Sequence, residues 1–135
     1  MTPGYSGKPL AAKLGIKADS EIYLAGAPED YLQLIAPLPD GAEVSSRLSK
    51  KTSLVHLFTS RKSELARALQ SYRTKLDPNA VVWISWPKKS SKVPTDITED
   101  TVREVALPLG FVDIKVCAVT EVWSGLKLVV RKELR

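Results

Sequence analysis

The residues best suited to binding chemistry follow one short apolar run near the middle of the chain. Residues 80–84 are β-branched, aromatic or small, and the run is too short for a helix, which predicts a buried central strand. Pro87 has no backbone N–H to donate and is expected to end that strand. The hydroxyl, indole and ammonium groups at this point suit an anion or a flat ligand, and they belong to Ser85, Trp86, Lys88 and Lys89.

Glycine and hydroxyl residues follow two other predicted strands, at residues 21–25 and 54–58. In open parallel sheets, ligands bind outside the carboxyl ends of the strands. A tight turn predicted at residues 123–125 belongs to a C-terminal hairpin and is expected at the same rim. The predicted ligand site therefore comprises Gly26, Thr59, Ser60, Ser85, Trp86, Lys88, Lys89, Trp123 and Ser124.

Together these side chains would form one cationic recess with aromatic walls, in which Trp123 and Ser124 lie near Trp86 and Lys88. An alternative fits the same residues. The two tryptophans would only cover the end of the core, and the lysines would be solvated, because amphipathic side chains commonly behave in this way.

No complete catalytic group is evident in the sequence. The single histidine, His56, lies within residues 54–58, where alternation directs it to a covered face, so a hydrogen-bonded core histidine is predicted. The single cysteine, Cys117, lies in the alternating run 112–119 and is predicted to be a small buried hydrophobe rather than a nucleophile. One histidine, one cysteine and no carboxylate cluster at ligand spacing predict no metal site.

The composition is that of a globular protein with one domain. The chain has 135 residues, of which 44% are hydrophobic and 26% charged. Residues 1–8 are expected to be flexible, and residues 9–135 to form a single domain. No apolar segment is long enough to cross a membrane and no signal core precedes Lys8, which predicts a cytoplasmic protein. The net charge of +5 comes from scattered lysines and arginines, which argues against a nucleic-acid footprint.

Strands alternate with amphipathic helices along most of the chain. Helices are predicted at 10–14, at 29–35, after a cap at Thr59 or Ser60, and after a cap at Asp96 or Thr98. A long strand is predicted at 112–122 and a last strand at 126–131. This order predicts an α/β fold, a mostly parallel sheet covered on both faces, with an antiparallel strand at the end.

A weaker strand at 42–47 leaves its direction open. Only about six residues connect it to the next strand, whereas a parallel crossover between neighbours needs a dozen or more. It therefore either lies at an edge with a stretched return path or runs antiparallel.

The layout of residues 54–131 is similar to the carboxy-terminal half of class I S-adenosylmethionine-dependent methyltransferases. The resemblance implies a reduced Rossmann-like sheet, a three-layer sandwich whose final antiparallel strand lies next to the central strand. Four segments also resemble an uncharacterised bacterial family of small proteins with a domain of unknown function, and this second resemblance implies no activity. They lie at residues 9–16, 86–89 (WPKK), 98–104 and 122–128, which include WSGLK.

The first loop departs from a nucleotide-binding loop, which needs glycines so that backbone N–H groups can approach the ligand. Residues 25–30 retain one glycine, Gly26, while Pro28 removes a donor and Glu29 and Asp30 would repel a phosphate. No acidic residue stands at 45–47 to hold a ribose, and the connector leaves no room for another helix and strand. No cofactor is predicted on this basis, although S-adenosylmethionine, which is cationic and has no phosphate, remains compatible with the acids.

The sequence thus favours a non-catalytic binding or interaction module on a degenerate methyltransferase-like fold, with a small anion or a protein as its partner. The alternative is a methyltransferase remnant that still binds S-adenosylmethionine or a nucleotide. Nucleic-acid binding is the weaker alternative.

Overall fold

Six strands form one sheet in the computed structural model, which describes residues 9–135. Residues 1–8, for which the sequence predicts a flexible segment, lie outside the described residues. The strands are β1 (Glu21–Ala25), β2 (Glu43–Ser45), β3 (Leu54–Phe58), β4 (Val81–Pro87), β5 (Phe111–Ala118) and β6 (Trp123–Val130).

The sheet order is β2-β1-β3-β4-β6-β5. The first four strands are parallel, while β6 is antiparallel to both of its neighbours, β4 and β5. This confirms the predicted α/β architecture, in which the last strand lies antiparallel beside the central one.

The weak second strand lies at the sheet edge and runs parallel to β1, which settles its direction. It is three residues long, and Ser45 at its end lies opposite Tyr23 in the middle of β1. β3 begins at Leu54, which lies opposite Ile22, so the connector steps back by only one residue along β1 while it crosses to the other side of that strand. A short connector suffices because β2 is so short that its end lies almost level with the start of β3.

Helices cover both faces of the sheet. They are α1 (Leu10–Leu14), α2 (Tyr31–Leu34), α3 (Lys62–Lys75) and α4 (Glu99–Ala106), with short 3₁₀ turns at Lys89–Ser91, Leu107–Leu109 and Lys132–Leu134. One core cluster contains the apolar stripes of α3 and α4, and the other contains those of α1 and α2. Trp83 of β4 is fully buried in the second cluster, where its Nε1 donates a hydrogen bond to the Leu14 carbonyl at 2.8 Å and so fixes the end of α1.

The predicted hairpin turn at 123–125 is wrong. β5 ends at Ala118 and β6 begins at Trp123, so Trp123, Ser124 and Gly125 are strand residues. The reason for the glycine is space: a Cβ on Gly125 would lie 2.9 Å from a methyl of Val119 and 3.3 Å from the Trp83 ring. Gly125 allows close packing in the sheet rather than a turn.

Helix starts also differ from the predictions. The first helical residue after β1 is Tyr31, so Pro28 precedes the short α2 instead of opening a helix at 29. Thr98, one of two predicted caps, accepts a hydrogen bond from the Thr101 backbone N–H at 3.3 Å and caps α4.

Asp96 instead caps the other long helix. Its Oδ1 accepts a hydrogen bond from the Lys62 backbone N–H at 2.6 Å, at the start of α3. The residue at the N-cap of α3 is Arg61, which makes no side-chain cap, so the prediction of a Thr59 or Ser60 cap is wrong.

Candidate functional site

The carboxyl rim of the sheet carries two separate clefts, one on each face. Ser124 lies opposite Trp86, and Trp123 lies opposite Pro87. Because successive residues of a strand point to opposite faces, Trp86 packs on the α3 and α4 side while Trp123 packs on the α1 and α2 side. The prediction that both tryptophans wall one recess is wrong for this reason.

The first cleft, called the α2 cleft here, lies between the start of α2 and the β5–β6 turn. Its volume is about 350 Å³. One wall comes from the α2 side and the other from the turn, and the lining residues are Pro28, Asp30, Leu34, Thr120, Glu121, Val122 and Trp123. Of these residues, Trp123 alone belongs to the ligand site predicted from the sequence. From the sequence, Asp30 is predicted only to repel a phosphate.

Thr120 shapes the turn wall of the α2 cleft. Its Oγ1 accepts hydrogen bonds from the backbone N–H groups of Val122 and Trp123, both at 3.1 Å. The Trp123 ring meets Phe58 edge to face, with ring centroids 5.1 Å apart. The indole is therefore held by the turn on one side and by the core on the other.

The helix wall is anchored by a buried polar chain. The Tyr31 hydroxyl lies 2.7 Å from His56 Nδ1, and His56 Nε2 lies 2.7 Å from the Ser85 hydroxyl. His56 also stacks on Phe58, with ring centroids 4.2 Å apart. This chain ties α2 to β3 and β4, and it confirms the prediction of a hydrogen-bonded core histidine.

Burial fixes the charge state of these groups. His56 is completely buried, and this burial lowers the pKa of its imidazole to about 3, so the ring is neutral at pH 7. Burial likewise raises the pKa of the Tyr31 hydroxyl. Ser85 is also 0% exposed, so its predicted position at the rim is wrong: the hydroxyl points into the core toward His56.

The backbone conformation at position 26 and its close approach to β3 both require a glycine. Its φ of +68° is left-handed, and a Cβ there would lie 2.4 Å from the Phe58 carbonyl oxygen. The loop after β1 therefore rests directly on the end of β3. That contact occupies the crevice between β1 and β3, where the strand order reverses and where open α/β sheets commonly bind ligands.

The second cleft, called the Trp86 cleft here, lies on the α4 side and has a volume of about 270 Å³. It does bring together four of the predicted site residues, since Trp86, Lys88, Lys89 and Ser124 all line it. Its other walls are Pro87, Thr95, Ile97, Thr98 and Glu99.

The two remaining hydroxyls lie elsewhere. Thr59 is 5% exposed, and its Oγ1 accepts from the Arg61 backbone N–H at 3.2 Å. Ser60 lines a different depression, together with Arg61 and Asp96. Neither residue lines the α2 cleft or the Trp86 cleft.

Cys117 lines neither cleft, and the described residues offer no metal site. Cys117 is half-buried against the core on the α1 side, and burial raises the pKa of its thiol, which is therefore protonated at neutral pH. Within residues 9–135, no three histidine, cysteine or acidic side chains are grouped so that they could hold a metal ion. None of the helices in this part of the chain is long and apolar enough to cross a membrane.

Comparison with known proteins supports the fold. No protein-family model and no curated protein sequence matches this chain. Among solved structures, an S-adenosylmethionine-dependent methyltransferase from Aquifex aeolicus superposes with a TM-score of 0.66 at 14% identity, over 95% of this chain and 91% of that one.

Two further structures are similar over most of this chain. Fibrillarin from Aeropyrum pernix, with natively bound S-adenosylmethionine, gives a TM-score of 0.60 at 11% identity, over 93% of this chain and 70% of that one. The ribosomal protein L11 methylase from Lactobacillus delbrueckii subsp. bulgaricus gives 0.58 at 10% identity, over 90% and 75%. The domain therefore has the Rossmann-like fold of the S-adenosylmethionine-dependent methyltransferases. The resemblance to the uncharacterised bacterial family stays a prediction.

Proposed function

We propose that this protein binds S-adenosylmethionine or its demethylated product in the α2 cleft. The observation that carries the proposal is the pairing of an aromatic wall, Trp123, with two carboxylates, Asp30 and Glu121, in a cleft of about 350 Å³ at the carboxyl rim. That volume lies within the ~300–1,000 Å³ typical of small-molecule sites. The methyltransferase fold supports the same class of ligand.

The charge of the cleft matches this cofactor. S-Adenosylmethionine carries a sulfonium, an ammonium and a carboxylate group and no phosphate, so its net charge is positive and carboxylates in the cleft attract it, whereas they would repel a nucleotide phosphate. An indole face attracts a cation within about 6 Å and also stacks on a flat base. The acids that argue against a nucleotide loop thus favour a cationic ligand.

The proposal concerns binding rather than methyl transfer. His56 is buried and neutral with both ring nitrogens in hydrogen bonds, and the Cys117 thiol is half-buried and protonated. Neither side chain is placed to take a proton from a substrate at the rim. Only the carboxylates of Asp30 and Glu121 offer a proton acceptor in the cleft.

Isothermal titration with S-adenosylmethionine, its demethylated product and ATP tests the proposal. We expect micromolar binding of the first two and none of ATP. Asp30→Asn and Trp123→Ala should each weaken binding about tenfold or more, since one charged or stacking contact contributes ~1–3 kcal/mol. Glu29→Gln is the matched control, because Glu29 is also exposed and acidic but does not line the cleft. No binding, or equal losses at Asp30 and Glu29, would contradict the proposal.

A second candidate is a non-catalytic module that binds a small anion in the Trp86 cleft. The observation that favours it is the convergence of Lys88, Lys89 and the Ser124 hydroxyl beside the Trp86 ring. Glu99 in the same cleft opposes an anion. Loss of anion binding in Lys88→Ala/Lys89→Ala, with the cofactor titration silent, would favour this candidate over the first.

A further inference from the structure

Lysines that line neither cleft converge on the α1 side of the sheet, where β5 and β6 pass beneath the end of α1. Lys115 and Lys127 are direct cross-strand partners. The Lys115 ammonium donates a hydrogen bond to the Lys13 carbonyl at 3.2 Å. The Lys127 ammonium lies beside Gly15, 3.4 Å from the position that a Cβ would take there. With Lys13 and Lys17, these residues are called the lysine cluster here.

The cluster concentrates positive charge. Lys127 is half-buried, and its pKa is lowered first by that burial and then by the charges of Lys115 and Lys17. The charges of Lys13, Lys115 and Lys88 also act on the thiol of Cys117 on β5, whose pKa they lower against the larger opposite effect of burial. Of the ion pairs formed among residues 9–135, none includes Lys17, Lys115 or Lys127.

Capping of α1 accounts for only part of this arrangement. Lysines near a helix C-terminus do bind the last carbonyls, as Lys115 does here. However, even a long helix presents only about half a negative charge at that end, and α1 has five residues. Like charges directly opposite each other on a sheet are destabilising. Among the described residues, Lys115 and Lys127 therefore place more positive charge at this end of α1 than the short helix can offset.

We propose that the lysine cluster is a binding site for a phosphate group. Ammonium groups bind phosphate as point charges from several directions. A phosphate monoester with a charge of about −1.5 to −2 at pH 7 would neutralise most of the cross-strand pair. The group comes from either a small phosphorylated molecule or a nucleic-acid backbone. This site is independent of the α2 cleft, whose carboxylates select the opposite charge.

Titration of the full chain with inorganic pyrophosphate at low salt tests the proposal. Lys115→Gln/Lys127→Gln should weaken binding at least tenfold. The control Lys51→Gln/Lys132→Gln removes the same net charge at two exposed positions elsewhere and should change the affinity less than twofold. Equal losses in the two double variants, or a loss only in Lys88→Ala/Lys89→Ala, would overturn the proposal.

A measurement on the wild-type chain makes the result independent of how the variants fold. Lysines labelled by reductive ¹³C-methylation can be titrated by NMR, and the Lys127 resonance should show the lowered pKa in the free protein. Phosphate that binds at the cluster must raise this pKa. An unchanged Lys127 titration at saturating pyrophosphate would overturn the proposal.

A third arm distinguishes the two sources of phosphate. An unphosphorylated 12-residue oligouridylate is titrated at two salt concentrations, since backbone contacts weaken steeply as salt rises. Oligouridylate binding that depends on salt and on Lys115 and Lys127, and that is tighter than pyrophosphate binding, identifies a nucleic-acid backbone. Tighter pyrophosphate binding identifies a small phosphorylated molecule. If neither ligand binds, the proposal fails.

Discussion

Acidification should destabilise this protein through His56, because the folded chain keeps that imidazole neutral. Its pKa is lowered by burial from 6.5 to about 3. Between these values the unfolded chain holds a proton that the folded chain does not, so the free energy of unfolding falls as the pH falls. At ~1.4 kcal/mol per pH unit, His56 alone should remove about 3 kcal/mol between pH 7 and pH 4. That is a large part of the roughly 5–15 kcal/mol that stabilises a typical domain.

Urea unfolding of the wild type and of His56→Gln at pH 7, 5.5 and 4 isolates this effect, because carboxylates contribute equally to both chains and cancel in the difference. The variant should be less stable at pH 7, where it loses buried hydrogen bonds, and the deficit should shrink by about 3 kcal/mol at pH 4. The imidazole resonances offer a direct check, since the chain has one histidine. Parallel pH profiles, or an imidazolium signal in the folded protein above pH 5, would refute the reasoning.

Three further predictions concern the core, the rim and the lysine cluster. Tyr31→Phe leaves a buried His56 nitrogen without its 2.7 Å partner and should lower the free energy of unfolding by about 1–3 kcal/mol, measured in urea. Tyr72→Phe, the matched control at another buried tyrosine ring, should lower it less. Trp86→Ala should cost roughly 3 kcal/mol or more through the cavity it leaves, and Lys88→Ala/Lys89→Ala within about 0.5 kcal/mol; equal losses in thermal unfolding would contradict the burial of Trp86. Burial lowers the pKa of Lys127, so as the pH rises this side chain loses its proton in the folded chain before it does so in the unfolded chain. The stability of the wild type relative to Lys127→Gln should therefore rise with pH in the alkaline range. A difference in melting temperature that does not change with pH would refute this.

Much of the sheet could be predicted because local residues mark where its strands begin and end. The bounds predicted for β1 and β3 are those of the structure, at Glu21–Ala25 and Leu54–Phe58. Each is a short apolar run followed by glycine or hydroxyl residues that end it. The insertion of β6 beside β4 was predictable only from a resemblance of layout, since no local pattern records which strands become neighbours.

The C-terminal hairpin shows where such local signals mislead. The sequence predicts a turn at Gly125, because glycine near a strand end usually marks one. In the structure it lies under the Trp83 ring, and Thr120 forms the turn through its own hydroxyl. A glycine required by a neighbouring tryptophan and a glycine required by a turn are identical in sequence. Because the sequence pattern assigns Trp123 to the turn and not to β6, the sequence could not show that its ring lies on the α1 and α2 side of the sheet.

The α2 cleft could not be predicted from the sequence, because contacts between distant parts of the chain hold both of its walls. Tyr31 reaches His56, 25 positions away, and His56 reaches Ser85, 29 positions further. The opposite wall depends on one threonine and on a ring contact between Trp123 and Phe58. Because these contacts are made within the protein itself, the cleft is preorganised, and a molecule that fits it would not have to order the walls first. Low ordering cost is what allows a cleft with few polar groups to bind measurably. The same argument sets the Trp86 cleft apart, because Lys89 on its rim is exposed and must lose side-chain freedom to hold a ligand.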